Sequence, residues 1–312
     1  MVCGGASRSD AIRACVAVVV ATLALAGCGL GAGGAPTRVS LLVTQGFGAQ
    51  TVVSDNAPTL AGSDTVMRML ERNATVSTLD GSGIVASIDH LARGGDSEWS
   101  YYVNGVRSGK EAAATVLHSG DRVWWDRHQS SATDRIPAVV GSFPEPFLDG
   151  YGGHRYPLLI ECTQTRARAC AAVEQVFAAL KVVAALGCVL CSQYNMSLTV
   201  LVGPYRTLEA DPAGAQLARG VRASGVYARF EDQGSKLALL NQAGQVVRTA
   251  GAGAGLVAAT RFMGQPPVWF VTGTDAAGVS AALQAFNAET LDQHFAVAVI
   301  DGAAIPLPVQ EP

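Results

Sequence analysis

Four cysteines in the C-terminal half of the chain, Cys162, Cys170, Cys188 and Cys191, are the residues whose type and spacing come nearest to a reactive site. The C-x-x-C spacing of the last two is that of redox dithiols and of half a zinc site. A redox pair normally stands at a helix N-terminus, whereas this pair follows a long apolar segment and Gly187. No second C-x-x-C accompanies it, so we predict structural disulfides. Four cysteines allow three pairings, of which we prefer Cys162 with Cys170 and Cys188 with Cys191.

Other reactive patterns are missing from the sequence. The histidines are scattered and never stand four residues apart, so they predict no metal site. There is neither a G-x-S-x-G nor an S-x-x-K motif. The glycine-rich run from Gly251 to Gly255 has neither G-x-G-x-x-G nor a following Gly-Lys-Ser/Thr, and we interpret it as a turn. The sequence therefore predicts no catalytic residue, no metal and no cofactor, and a protein that is not an enzyme.

Aromatic residues offer the clearest candidate for binding. They concentrate in two short runs, 99–105 and 120–125, which have the β-branched and aromatic character of strands. Strand alternation sends Trp99, Tyr101 and Val103 to one face and Ser100, Tyr102 and Asn104 to the other. We favour the first set as core. The second set, together with Trp124 or Trp125, then forms an exposed surface for a planar ligand or a sugar.

The elements that must position these aromatic runs begin near residue 38. Apolar and β-branched segments predict five strands, and a helix is expected from Asp64 to Asn73 with Ser63 as its N-cap. One helix laid across a sheet of about five strands is a β-grasp arrangement. The predicted strands are Val39–Thr44, Thr51–Val53, Ile84–Ile88, Trp99–Asn104 and Arg122–Asp126.

Residues 38–128 also resemble a known family. The chain has Val-Thr-x-Gly-Phe-Gly, a helix opening at Asp64-Thr-Val, the block Trp99-Ser-Tyr-Tyr-Val-Asn-Gly, and Leu117-His-Ser-Gly-Asp-Arg-Val-Trp-Trp. In this order and spacing they look like the transcobalamin-like C-terminal domain. In vitamin-carrying members that domain closes over cobalamin from one side. The resemblance thus implies a cobalamin-like molecule as one ligand.

The rest of the chain predicts a connector and a second domain. Residues 129–154 lack periodicity but contain Phe143, Phe147 and Tyr151, which could anchor the connector between two domains. Residues 155–312 alternate strands with helices, which is typical of an α/β domain with a mixed sheet. We expect helices at Ala169–Leu186 and from Leu256 to Thr260. The predicted fold class of the whole chain is α+β.

The N-terminus predicts secretion and a lipid anchor. Arg8 and Arg13 precede an apolar run from Ala14 to Ala26, which is typical of a signal peptide. The following Leu-Ala-Gly-Cys resembles the lipobox of bacterial lipoproteins, which implies cleavage after residue 27 and acylation, palmitate included, of Cys28. Residues 28–37 are small and predict a flexible tether. We therefore expect a lipid-anchored protein on the extracytoplasmic face of the cell membrane.

The charge of the chain excludes nucleic acid as an expected partner. Charged residues make up 15% of the 312 residues and the net charge is −3, so the chain offers no basic field for nucleic acid. We predict a non-catalytic ligand-binding or adhesion module, anchored to the membrane through Cys28, with a small-molecule or envelope partner. The alternative is a structural or scaffolding protein of the cell envelope whose β-grasp face docks another protein.

Overall fold

The structure is a computed structural model that describes residues 34, 36–79, 82–163, 168–189, 196–262 and 264–310. The predicted signal peptide, the predicted acylation site Cys28, most of the predicted tether and Cys191 lie outside these residues. In the described part no helix is long and apolar enough to cross a bilayer.

In the described residues up to 129, the chain forms eight strands, one α-helix and a short 3₁₀ helix at Ala112–Ala114. The strands and the α-helix are β1 (Ser40–Gln45), β2 (Gln50–Asp55), α1 (Val66–Asn73), β3 (Val76–Thr78), β4 (Val85–Ile88), β5 (Leu91–Ala92), β6 (Ser97–Val103), β7 (Val106–Arg107) and β8 (Arg122–Gln129). Five of them form one sheet in the order β2-β1-β8-β6-β7, in which β1 runs parallel to β8 and the other pairs are antiparallel. With α1 packed on this sheet, residues 38–129 form the predicted β-grasp arrangement, called here the β-grasp unit.

Two details of the predicted β-grasp unit are wrong. The segment at 84–88 does not join the five-stranded sheet, because β4 pairs with β3 and β5 in a separate sheet. The N-cap of α1 is Thr65 and not Ser63, since the Thr65 side chain accepts a hydrogen bond from the backbone N–H of Arg68. Asn73 does end the helix, as predicted.

A tight turn joins β6 to β7. Asn104 and Gly105 both have positive φ, 54° and 73°, which suits a two-residue hairpin. A Cβ at Gly105 would lie 2.7 Å from the carbonyl oxygen of Val139, so the connector approaches closely here. The turn is therefore fixed both by its own backbone and by the segment that packs against it.

The second half is built on a mixed seven-stranded sheet with the order β10-β9-β11-β16-β15-β17-β18. Its first four strands are parallel and the remaining pairs are antiparallel. A three-stranded antiparallel sheet, β12-β13-β14, lies beside it. The strands are β9 (Leu158–Cys162), β10 (Ala184–Cys188), β11 (Leu198–Pro204), β12 (Ala228–Glu231), β13 (Lys236–Leu240), β14 (Val246–Ala250), β15 (Gly255–Thr260), β16 (Val268–Gly273), β17 (Ala296–Ile300) and β18 (Ala303–Leu307).

The C-terminal unit is residues 155–310, and its described part contains six α-helices between the strands. They are α2 (Arg168–Ala179), α3 (Tyr205–Leu208), α4 (Pro212–Ala218), α5 (Val221–Ser224), α6 (Ala276–Ala285) and α7 (Ala288–Leu291). The polar side chains of Asp211 and Asp275 cap α4 and α6. Side chains from α2 and α6 pack on one face of the large sheet together with Phe143 and Phe147 of the connector. Strands dominate the whole chain, and the fold class is α+β as predicted.

Two predicted helices of this unit are wrong in part or whole. The helix expected at Ala169–Leu186 ends at Ala179, and Ala184–Cys188 is an edge strand paired with β9. The segment Leu256–Thr260 is a strand buried in the middle of the sheet. A continuous apolar run fits a buried strand as well as a buried helix, because neither shows a polar face.

The preferred disulfide between Cys162 and Cys170 is confirmed. It joins the end of β9 to α2, with a Cα–Cα distance of 6.0 Å. Cys188 is also disulfide-bonded. Cys191, the partner predicted for it, lies outside the described residues.

Candidate functional site

The predicted aromatic binding surface is not exposed. Tyr102 and Trp124 have exposed fractions of 0% and 2%, and Asn104 and Trp125 are buried as well. The expectation that these four residues face solvent is therefore wrong. The alternation that separated Trp99 and Tyr101 from Tyr102 is correct, but both faces of the sheet are covered.

The C-terminal unit covers the face that contains Tyr102 and Trp124. The ring centroid of Phe295 lies 5.7 Å from that of Tyr102 and 5.1 Å from that of Trp124, in edge-to-face geometry. A Cβ at Gly48 would lie 1.9 Å from the carbonyl oxygen of Gln293, and one at Gly141 would lie 2.8 Å from the Trp124 ring. This face is an internal interface in which backbone meets backbone.

A buried polar network stands beside this interface. The Trp124 indole N–H donates to Thr44 Oγ1 at 2.8 Å, and that hydroxyl donates to Asp126 Oδ2 at 2.5 Å. The carboxylate also accepts from the backbone N–H groups of Phe47 and Gly48, and from His128 Nδ1 at 2.9 Å. Asp126 thus holds the β1–β2 turn. In the part of the chain that the structure describes, no serine, threonine or cysteine hydroxyl or thiol is hydrogen-bonded to His128.

Asn104 has a structural role at the start of β8. Its side-chain N–H groups donate to Asp121 Oδ1 at 3.0 Å and to the carbonyl of Gly150 at 2.6 Å, and its oxygen accepts from the backbone N–H of Arg122 at 2.7 Å. Burial raises the pKa of Asp121. Both N–H donors of the buried Asn104 amide and one lone pair of its oxygen are therefore engaged within the chain.

Trp125 belongs to the opposite face. Its ring centroid lies 4.8 Å from that of Tyr101, and it packs in the cluster formed by α1 and the inner side of the sheet. Tyr101 is half-buried and its hydroxyl donates to the carbonyl of Lys110 at 2.5 Å. Trp125 is therefore a core residue of the β-grasp unit.

A large opening lies between the β-grasp unit, the connector and the C-terminal unit. It has a volume of about 750 Å³ and continues into a second cavity of about 350 Å³. Arg107 and Arg261 line both cavities, and Arg135 lines the larger one. We call the two cavities together the arginine cleft. Lys110 and His118 line its smaller part.

Hydrogen bonds orient two of these arginines. Arg107 Nη1 donates to the backbone carbonyl of Asp134. Arg261 donates through Nε to the carbonyl of Gln265 at 2.7 Å and lies over the Tyr151 ring, with its guanidinium carbon 5.4 Å from the ring centroid. Burial raises the pKa of Tyr151, so its hydroxyl stays protonated under the guanidinium. Both arginines are thus held in place by neutral groups.

Two carboxylates line the cleft beside its basic side chains, Asp134 in the larger cavity and Asp121 in the smaller one. Among the described residues, neither Arg107 nor Arg135 nor Arg261 takes part in an ion pair. An uncompensated guanidinium presents N–H donors in a planar fork that matches a phosphate or carboxylate. The arrangement can therefore bind an anion.

Sequence reasoning missed this cleft. Its three arginines are widely separated along the chain and belong to no common sequence motif. The single local signal is the position of Arg107 directly after the Asn104-Gly105 turn, which places it at the end of a hairpin. The described residues also contain no group of three or more His, Cys, Asp or Glu side chains suited to a metal ion.

Comparison with known proteins gives one partial match. A family model described as a domain of unknown function (DUF4430) matches residues 63–129. This region runs from the residues before α1 to the end of β8, so it covers most of the β-grasp unit and none of the C-terminal unit. No curated protein matches the chain.

Proposed function

We propose that this protein is a non-catalytic binding module, lipid-anchored on the extracytoplasmic face of the membrane, that holds an anionic ligand in the arginine cleft. The observation that carries the proposal is a cavity of about 750 Å³ whose lining holds three arginines and one carboxylate, Asp134, with no ion pair at these arginines among the described residues. Its volume lies within the range of about 300–1,000 Å³ that is usual for small-molecule sites. The proposed ligand site is therefore at the junction of the two units, and not on the aromatic strands as the sequence predicted.

Electrostatics support an anion as the ligand. The chain has a net charge of −3, so the cleft is a local positive region on a weakly acidic protein. A partly enclosed cleft screens charges less than open water does, which strengthens the attraction of an anion to several guanidinium groups. Because Arg107 and Arg261 are already oriented by carbonyl oxygens, binding costs little additional side-chain entropy.

The domain match supplies a more specific candidate. DUF4430 is associated with transcobalamin-like proteins, and the motifs around Trp99–Gly105 resemble that family. Cobalamin contains a phosphodiester, which is a group that the guanidinium forks could bind. Cobalamin therefore belongs among the ligands to be tested, beside simple phosphates.

Membrane anchoring rests on the N-terminal sequence. The two arginines, the apolar run and the Leu-Ala-Gly-Cys28 motif are the features of a lipoprotein signal. More than one acyl chain on Cys28 would hold the protein stably to a bilayer. Docking of a protein partner through the β-grasp sheet, the alternative role, would need a free sheet face, and both faces of the sheet are covered within the chain.

Titration calorimetry of the full-length protein in detergent micelles tests the anion site. Inorganic phosphate, pyrophosphate and cobalamin are the probes. We expect at least one to bind, and Arg135→Ala to weaken its binding about tenfold or more, the loss expected for a hydrogen bond to a charged group. Arg68→Ala, a change at an exposed arginine of α1, is the matched control. Absence of binding by all three probes, or equal weakening by both substitutions, would contradict the proposal.

A further inference from the structure

A separate cavity, which has no lining residue in common with the arginine cleft, is lined by five glutamines. It has a volume of about 290 Å³ and lies where the β1–β2 turn meets the end of β8 and two segments of the C-terminal unit. The glutamines are Gln45, Gln50, Gln129, Gln242 and Gln310. We propose that this glutamine cavity binds a neutral saccharide ring.

The side-chain amides are matched to hydroxyl groups. Each amide has two N–H donors and an oxygen with two lone pairs, and it carries no charge. Sugar hydroxyls both donate and accept, so an amide can satisfy either role of each hydroxyl. Ala49 supplies the sole apolar side chain of the lining, which leaves little for an aliphatic ligand to pack against.

Hydrogen bonds between the glutamines fix their orientation. Gln45 Nε2 donates to Gln50 Oε1 at 2.6 Å, and Gln242 Nε2 donates to Gln310 Oε1. Gln310 Nε2 in turn donates to the carbonyl of Gly46 at 3.1 Å. Each pairing uses one donor and one acceptor, so part of the capacity of every amide stays available. A ligand therefore meets donors and acceptors that are already oriented.

The arginine and the histidine of the lining are engaged by the protein itself. His128 is nearly buried, with Nδ1 held by the Asp126 carboxylate at 2.9 Å. Arg127 donates through Nε to the carbonyl of Ala92 at 2.7 Å. With one tethered guanidinium against five amides, the cavity favours a neutral, hydroxyl-rich ligand. This chemistry distinguishes it from the arginine cleft.

Size and construction limit the ligand to about one ring. A volume of about 290 Å³ is at the lower end of ligand pockets. Gln45 and Gln50 come from the β-grasp unit, whereas Gln242 and Gln310 come from the C-terminal unit. The bond from Gln310 to Gly46 crosses this junction, so the cavity exists because the two units are docked.

Saturation-transfer NMR with N-acetylglucosamine on the full-length protein tests the proposal. The variant is Gln50→Met/Gln129→Met, which keeps side-chain length and removes amides from the cavity wall. Both residues are exposed, Gln129 makes no side-chain hydrogen bond within the described structure and Gln50 makes one, with Gln45, so we expect the double variant to keep its fold. We expect the Kd to rise about tenfold, the loss expected for two neutral hydrogen bonds.

Two controls make the result specific. Gln284→Met changes an exposed glutamine of α6 and should leave the Kd unchanged. Inorganic phosphate should not displace the sugar, because the anion site is elsewhere. The proposal is overturned by a lack of saturation transfer up to about 20 mM sugar, a millimolar limit for weak binding, by equal Kd values in wild type and the double variant, or by displacement with phosphate.

Discussion

The two faces of the β-grasp sheet carry the same kinds of side chain but are covered in different ways. On one face, α1 packs over Trp125 and leaves Trp99 and Tyr101 half-buried. On the other, the C-terminal unit encloses Tyr102 and Trp124 completely. The helix α1, which covers the first face, lies close in sequence to the strands of the sheet. Phe295, which covers the second face, is separated from those strands by more than half of the chain.

The difference teaches that an aromatic strand face need not be a binding face. A helix of eight residues covers part of a sheet and leaves a polar rim, where hydroxyls such as that of Tyr101 keep partners. A whole second unit excludes water from its contact area, where the Tyr102 hydroxyl is buried without a hydrogen-bond partner in the described structure. Aromatic residues on such a face stabilise the association of the two units.

Replacing a tryptophan on each face should give the largest difference in the free energy of unfolding. Trp124→Ala should lower the free energy of unfolding by about 3–5 kcal/mol, because it leaves a cavity in a closed interface. Trp99→Ala, at a half-buried site, should cost less than about 2 kcal/mol. Urea denaturation of both variants measures the two losses. Equal losses would contradict the difference in cover.

The buried carboxyl of Glu145 in the connector should make the free energy of unfolding depend on pH. Burial raises the pKa of Glu145 to about 7 from a usual value of 4.5, although its Oε2 accepts from the backbone N–H of Asp149 at 2.9 Å. The folded state therefore holds more protons between pH 4.5 and 7, and the free energy of unfolding falls as the pH rises through this window. Above pH 7 the buried charge costs up to about 3 kcal/mol.

Glu145→Gln should remove this cost. We expect the variant to gain up to about 3 kcal/mol over wild type between pH 4 and pH 8, at 1.36 kcal/mol per pKa unit. Denaturation curves at the two pH values check the gain. Glu111→Gln, at an exposed position, is the control and should show no such trend. A gain that is the same at both pH values would contradict a raised pKa.

Removing the hydroxyl of Tyr101 or of Tyr102 should give the smallest difference in stability between the two faces. Tyr101→Phe removes hydrogen bonds to the Lys110 carbonyl and to Thr115 Oγ1, and should cost about 0.5–1.5 kcal/mol. Tyr102→Phe removes a buried hydroxyl without a partner in the described structure and should be neutral or stabilising. Chemical denaturation of both variants compares them. A larger loss at Tyr102 would show that its hydroxyl has a role in the interface.

Local patterns predicted much of the fold. Alternation along the predicted strand Trp99–Asn104 separated Trp99 and Tyr101 from Tyr102 correctly, because it depends on neighbouring residues alone. The same reasoning failed for Leu256–Thr260, where an apolar run has no periodicity to distinguish a buried strand from a helix. Element type is thus predictable where one side of the element meets water.

Exposure and the candidate sites depend on distant residues and were not predictable. Nothing near Tyr102 in the sequence indicates that Phe295 covers it. The arginine cleft and the glutamine cavity each combine single residues from separate segments, which have no common spacing. Such sites become visible once the topology brings the two units together.

The most direct test of the account follows the phosphate titration residue by residue. In two-dimensional ¹H–¹⁵N spectra of the labelled full-length protein, we predict shifts at the backbone amides of Ser108, Gly109 and Gly264, which line the cleft. The indole N–H of Trp124, which donates to Thr44 inside the interface, should not move. Shifts at Trp124 with none at the cleft amides would contradict the account and return the ligand to the aromatic face.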